Sequence, residues 1–133
     1  MISINLENEL KIAKLAALEA GHILKSKKIS LNVETSSSER DIKLQADIAA
    51  ENLIKKIIQD KSKIPILAEE SGKSSKNLGD IFWVIDPLDG TANYSRNIPI
   101  CCVSIALIKN QTPAIGVIYD FNGDDLYVGS LQQ

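Results

Sequence analysis

Cysteine and histidine are scarce in this chain, and neither sign of charge dominates it. Its 133 residues include two cysteines and one histidine. Cys101 and Cys102 are adjacent, and neighbours on a strand point to opposite faces, which places them poorly for bonding each other. Reduced thiols in a cytoplasmic protein are therefore expected. The lone His22 has no nearby partners for a metal, so it reads as a packing or surface residue of a helix. The two cysteines have no local histidine either and read as strand-packing residues. A formal net charge of −2 and a pI near 5.4 provide no basic field, so no nucleic-acid partner is expected. Long apolar runs are missing too. Residues 98–108 are uncharged, but the stretch is too short to span a bilayer and contains Pro99 and Ser104. The opening MISINLENELK brings acids before any apolar block, unlike a secretory signal. With 44% hydrophobic and 24% charged residues, the chain has the composition of one soluble domain with a real core.

Apolar periodicity supplies the elements. Leu6, Leu10, Ala13, Ala17, Ala20 and Leu24 recur at steps of three and four, predicting a helix over residues 5–28. Ser3 or Asn5 can cap it, and Glu7 and Glu9 suit its first turn. Lys25, Lys27 and Lys28 suit its end. Gly21 costs helix stability and so marks close packing. ISLNVE reads as a short strand and TSSSER as a mobile polar loop. Leu44, Ile48, Leu53, Ile54, Ile57 and Ile58 predict a second helix over about residues 43–60, with Asp41 as a candidate cap. The period then falls to two. KIPILAEE is a strand ending in paired acids, residues 71–80 a loop, and IFWVID a buried strand. Residues 100–109 and 114–119 are further strands joined by NQTP. FNGD is a turn, and DLYVGS the last strand. Two helices followed by a run of strands predict an α+β fold, with the helices packed on a mostly antiparallel sheet.

Four acids stand out by position: Asp47, Glu69, Asp86 and Asp89. Glu69 ends one apolar strand and Asp86 another, so their carboxylates converge if those strands lie close with the acid-bearing ends together. Oxygen-only ligands favour hard cations, above all Mg2+. Pro87 and Gly90 prevent a regular helix between the aspartates, and Gly90 lets backbone approach a ligand. A helix starting at Thr91 would offer the Gly90 and Thr91 amides to an anion. Cation and anion sites side by side suit phosphoryl transfer. On the D-x-x-D spacing alone, however, an ordinary turn is the better reading, because D-P and D-G are common turn signals. A calcium loop of the EF-hand type does not match.

The longer string decides between these readings. E-E-S at residues 69–71, followed by W-V-I-D-P-L-D-G-T-A-N-Y at 83–94, resembles the signature of the inositol monophosphatase family of magnesium-dependent, lithium-sensitive phosphatases. D-I-K-L-Q-A-D-I-A-A-E at 41–51 is similar to that family's acid-bearing helix. The resemblance implies the first half of a layered α/β sugar-phosphatase fold, with residues 1–133 as a metal- and phosphate-binding domain. It implies two or three Mg2+ per complete site. Glu69 would ligate the first and help position the attacking water. Asp86 would bridge two metals, Leu88 would offer its carbonyl, and Asp89 would bind the second metal. Thr91 would contact the water, Asp47 would hydrogen-bond Thr91 and raise its basicity, and the Gly90 and Thr91 amides would hold the phosphate. The implied reaction is in-line attack of a magnesium-activated water on a phosphate monoester, without a phosphoenzyme.

The chain also departs from the family pattern. Ser36 to Ser38 stand where relatives often carry a loop lysine, Lys43-Leu44 where many carry V-T, and Ala92 where Thr is common. Family members are about twice as long, and no W-D-x-A-A-G-like motif of their second half occurs here. The resemblance therefore implies the N-terminal half of such an enzyme, weakly active or inactive alone. Inositol monophosphate or a related sugar phosphate is the favoured substrate. A 3′(2′),5′-bisphosphate nucleotidase, a histidinol-phosphatase-like enzyme or a non-catalytic regulatory fragment are the alternatives. Partners expected are a small phosphate ester and, through a homodimer or the face left by the absent domain, another polypeptide. No membrane is expected.

Overall fold

A computed structural model describes residues 4–37 and 42–131. The first helix, α1 (Leu6–Ser26), buries Leu6, Ala13, Ala17, Ala20 and Leu24 of the predicted stripe, together with Ile12 and Ala16. Asn5 is its cap, accepting the Asn8 amide at 3.2 Å; Ser3 lies outside the described residues. The helix ends short of Lys28, and a single further turn follows, α2 (Lys28–Leu31). The Ile-Ser-Leu of ISLNVE is thus helical rather than extended. The strand starts later, as β1 (Glu34–Ser37), and pairs antiparallel with β2 (Ile42–Leu44). The segment read as a mobile loop is in part this strand.

The second long helix, α3 (Gln45–Lys61), begins two residues later than predicted because Lys43 and Leu44 belong to β2. The candidate cap Asp41 lies outside the described residues. Asp47 caps the helix instead: its Oδ2 accepts the Leu44 amide at 2.8 Å, satisfying one donor that the first turn leaves over. Ala46, Ala50, Ile54 and Ile58 form the buried stripe of α3, whereas Ile48 is exposed.

Six strands then form one sheet in the order β4-β3-β5-β6-β7-β8. They are β3 (Ile66–Ala68), β4 (Gly72–Lys73), β5 (Ile81–Asp89), β6 (Cys102–Lys109), β7 (Thr112–Asp120) and β8 (Asp125–Ser130). A five-residue helix, α4 (Thr91–Ser95), follows β5. All pairings are antiparallel except β3 with β5, which is parallel. The loop predicted at 71–80 opens with β4. Asn110 and Gln111, both at positive φ, turn β6 into β7.

Both long helices pack on one face of the sheet, α1 over β6 and β7 and α3 over β5. Trp83, Ile85, Val103, Ile105, Leu107, Ile115, Val117 and Tyr119 point into that layer and are buried. The other face is open, with Ile118 and Tyr127 exposed. Ser104, Ala106, Gly116, Ile118 and Tyr127 help line a shallow groove of about 330 Å3 there.

Candidate active site

The parallel pairing of β3 with β5 sets the acids' positions. Ala68 lies beside Ile85 in register, so Glu69, just past the end of β3, and Asp86, still within β5, follow at neighbouring positions. Asp86 then pairs with Ser104, and Asp89 with Cys102. Three steps on β5 therefore match two on β6, the signature of a β-bulge. The bulge falls on Pro87 and Leu88, where a proline without an N–H is tolerated. Both break the strand's alternation by being buried in succession. Its consequence is chemical. Regular pleating would aim Asp86 and Asp89 at opposite faces. Ser104 and Cys102 are two apart and share a face, so the bulge turns both aspartates to one side, away from the helix layer.

Gly90 follows at φ 95°. A Cβ there would lie 2.9 Å from the Ile100 carbonyl oxygen and 3.0 Å from Cys101 Cβ. Backbone conformation and space both require glycine. Thr91 then opens α4. Its hydroxyl donates to Asp47 Oδ1 at 2.9 Å and has a second acceptor, the Leu88 carbonyl, at 3.1 Å. Tyr94 anchors α4 to the first helix by donating its hydroxyl to the Leu24 carbonyl at 2.7 Å. The Lys28 ammonium sits 4.5 Å from the centre of the Tyr94 ring.

Electrostatics mark Asp86 most strongly. Burial, with the carboxylates of Glu69 and Asp89 nearby, pushes its carboxyl up to about 7. Its Oδ1 is buried with no hydrogen-bond partner among the described residues. Asp47 is also raised, first by burial, although the Leu44 amide and Thr91 hydroxyl work against the shift. Carboxylates, a carbonyl and a hydroxyl are hard donors, and an unpartnered buried anionic oxygen is completed by positive charge. These residues fit a hard divalent cation. The convergence is incomplete, however. Among the described residues, no three His, Cys, Asp or Glu side chains form a ready cluster for a metal ion. Glu69 leans instead toward Lys43, whose Nζ lies 3.6 Å from Glu69 and 2.8 Å from Glu70.

Asp89 is exposed and borders a cavity of about 440 Å3 with Gly90, Asn93, Ile100, Cys102 and Asp120. Arg96 is exposed and forms no ion pair among the described residues. His22 stacks edge-on against Tyr119 at 6.2 Å, a packing role. Cys101 and Cys102 are free thiols.

The whole of residues 5–133 matches the inositol monophosphatase family. The chain belongs to that family. Among its relatives is a fructose-1,6-bisphosphatase/inositol-1-monophosphatase of Aquifex aeolicus, 35% identical over 95% of this chain and 48% of its own length. A protein of Xylella fastidiosa named Nus factor SuhB is 40% identical over 86% of this chain and 42% of its own. Among solved structures, an inositol monophosphatase from Anabaena superposes with a TM-score of 0.80 at 40% identity, covering 96% of this chain and 45% of that one. The chain thus spans about half the length of these inositol monophosphatase relatives.

Several residues at the site escaped the sequence reading. The apolar pattern puts Lys43 on a helix, but its approach to Glu69 depends on β2. Asp120 and Asn93 reach the cavity only through the sheet order and α4. Glu51 is buried, with both carboxylate oxygens engaged by backbone amides of the 69–71 turn. A glutamate in a helix gives no signal of that kind beyond its spacing of four from Asp47.

Proposed function

We propose that this chain forms the cation- and phosphate-holding part of a Mg2+-dependent phosphate monoester hydrolase acting on inositol monophosphate or a related sugar phosphate. The observation that carries the reading is the Asp47–Thr91 hydrogen bond together with an unpartnered, buried Asp86 oxygen. Glu69, Asp86, the Leu88 carbonyl and Asp89 would hold the metal. Bound Mg2+ would supply positive charge on the phosphate and lower the pKa of an attacking water. The chain's own groups account for the rest. While Thr91 gives its proton to Asp47, its lone pairs are free to accept a hydrogen bond from water and orient it. A buried carboxylate as partner strengthens that acceptor. The Gly90 and Thr91 amides would hold the phosphate. Water adds to phosphorus as the ester oxygen leaves, giving an alcohol and inorganic phosphate.

Family membership and the fructose-1,6-bisphosphatase/inositol-1-monophosphatase name of the Aquifex relative support a sugar phosphate. Because the relatives are about twice as long, the 133-residue chain alone is proposed to turn over weakly or not at all. Its open sheet face, with Ile118 and Tyr127 exposed, is the surface proposed to meet further polypeptide. Phosphate release should be assayed with Mg2+ on inositol monophosphate, a hexose phosphate, a nucleoside 3′,5′-bisphosphate and histidinol phosphate. Robust turnover by this chain would refute that proposal. Calorimetry should detect Mg2+ binding that Asp86→Asn abolishes, and unchanged binding would remove the metal reading. The Xylella relative's name favours a second reading, a non-catalytic regulatory protein. That reading requires partner binding to survive Asp89→Asn.

A further inference from the structure

Helix α3 carries a buried carboxylate that the proposed chemistry does not use. Glu51 is only 2% exposed. Its Oε1 accepts the Glu70 amide at 2.8 Å, and its Oε2 accepts the Ser71 amide at 3.0 Å. A buried charge is tolerated only where such bonds replace its water. Both bonds here are spent on one short turn, the one that immediately follows Glu69. Lys55, four residues further along the helix, donates to the Ser71 hydroxyl at 2.8 Å.

Asp47, Glu51 and Lys55 are spaced by four, so they lie along one side of α3. Asp47 holds Thr91 and Glu51 holds the 69–71 turn. The turn and Thr91 come from strands that are neighbours in the sheet, but each is tied separately to the same helix. A helix fixes the distance between two side chains one turn apart far better than two loops could fix it between themselves.

We propose that Glu51 is a positioning residue: through α3 it sets where Glu69 stands relative to Thr91 and Asp86, so divalent-cation affinity depends on a carboxylate that does not touch the cation. This rests on the metal reading above. Hydrogen-bond partners behind metal ligands typically change affinity by about 10–100-fold when removed.

The test uses the full 133-residue chain, with Mn2+ as probe and free ion counted by electron paramagnetic resonance. Glu51→Ala should weaken binding by at least about tenfold, and Glu51→Gln, which keeps one acceptor oxygen, by less. Amide exchange at Glu70 and Ser71 should quicken selectively in both variants, which general destabilisation would not produce. Asp86→Asn separates the two ideas. If it abolishes binding while Glu51→Gln and Glu51→Ala bind like wild type, the positioning role is overturned and the metal site stands. If Asp86→Asn binds normally, the metal site itself falls. Should the Glu51 variants fail to fold, the wild type still decides: Mg2+ must slow exchange at the Glu70 and Ser71 amides, and unchanged exchange would overturn the proposal.

Discussion

Gly21→Ala should destabilise the chain, although alanine is the better helix former. An added Cβ would lie 2.3 Å from Tyr119 Cδ2, 2.4 Å from Cε2 and 3.0 Å from Phe121 Cβ. The ring cannot easily retreat. Tyr119 is 2% exposed, its backbone is paired on both sides within β7, and its hydroxyl donates to Asp124 at 2.6 Å. Overpacking a filled site costs about 1–3 kcal/mol, and this contact belongs at the upper end. Replacing glycine inside a helix returns about 1 kcal/mol. The net loss is about 2 kcal/mol, a sizeable share of the roughly 5–15 kcal/mol that holds such a domain. Trp83 is the sole tryptophan and is fully buried, so its fluorescence reports unfolding in urea without ambiguity. The midpoint should fall with the slope unchanged. In a Tyr119→Ala background the same Gly21→Ala change should cost clearly less, because only the 3.0 Å approach to Phe121 Cβ is left. An equal or higher midpoint in the wild-type background would refute the close packing inferred for α1 on β7.

Mg2+ affinity should depend on pH with a definite sign. Asp86 is raised to about 7, so below that pH a proton competes with the cation, and affinity should fall by up to about tenfold per unit in calorimetric titrations. In the metal-free chain the same group costs stability as pH rises from its unfolded range near 4 through about 7, and saturating Mg2+ should reverse that trend in thermal melts. Lys43→Met removes the ammonium beside Glu69 and Glu70. If that ammonium competes with a bound cation, Mn2+ affinity should rise by up to about fivefold, the scale of a partly exposed ion pair. Weaker binding would mean that Lys43 braces the 69–71 turn instead.

Much of this arrangement was legible in the chain, for identifiable reasons. The α1 stripe repeats cleanly, and Gly21 inside it pointed to a close contact that Tyr119 and Phe121 provide. Glu69 and Asp86 were visible because each closes an apolar run, whereas Asp47 and Asp89 stood out only by position. The parallel pairing that brings Glu69 and Asp86 together was not visible, since it depends on β4 turning the chain back before β5. The start of α3 was misplaced because its cap is Asp47 reaching back from inside the first turn, not a polar residue ahead of it. Residues 86–89 read as a turn because D-P and D-G are common turn signals. The bulge lets β5 continue through Pro87. Lys43 and Glu51 carry no local signal, since a charged residue near a helix end or on a helix face is ordinarily solvated.

The site and the core divide this small fold between them by face. The helix layer buries the apolar side of the sheet, while the bulge turns Asp86 and Asp89 to the other. α3 serves both sides. Its Ala46, Ala50, Ile54 and Ile58 pack the core, and its Asp47 and Glu51 are buried where they reach the site loops. Burying two carboxylates on one helix is unfavourable unless every oxygen has a donor. Here each of the four oxygens has one: the Leu44 amide, the Thr91 hydroxyl, and the Glu70 and Ser71 amides. Asp86 differs in leaving one buried oxygen without a partner among the described residues. The polar groups that only hold the site are satisfied by the protein itself. Among the site carboxylates the deficit falls on the one proposed to meet a cation; the other buried oxygen without a partner among the described residues, Glu9 Oε2, lies in the first turn of α1.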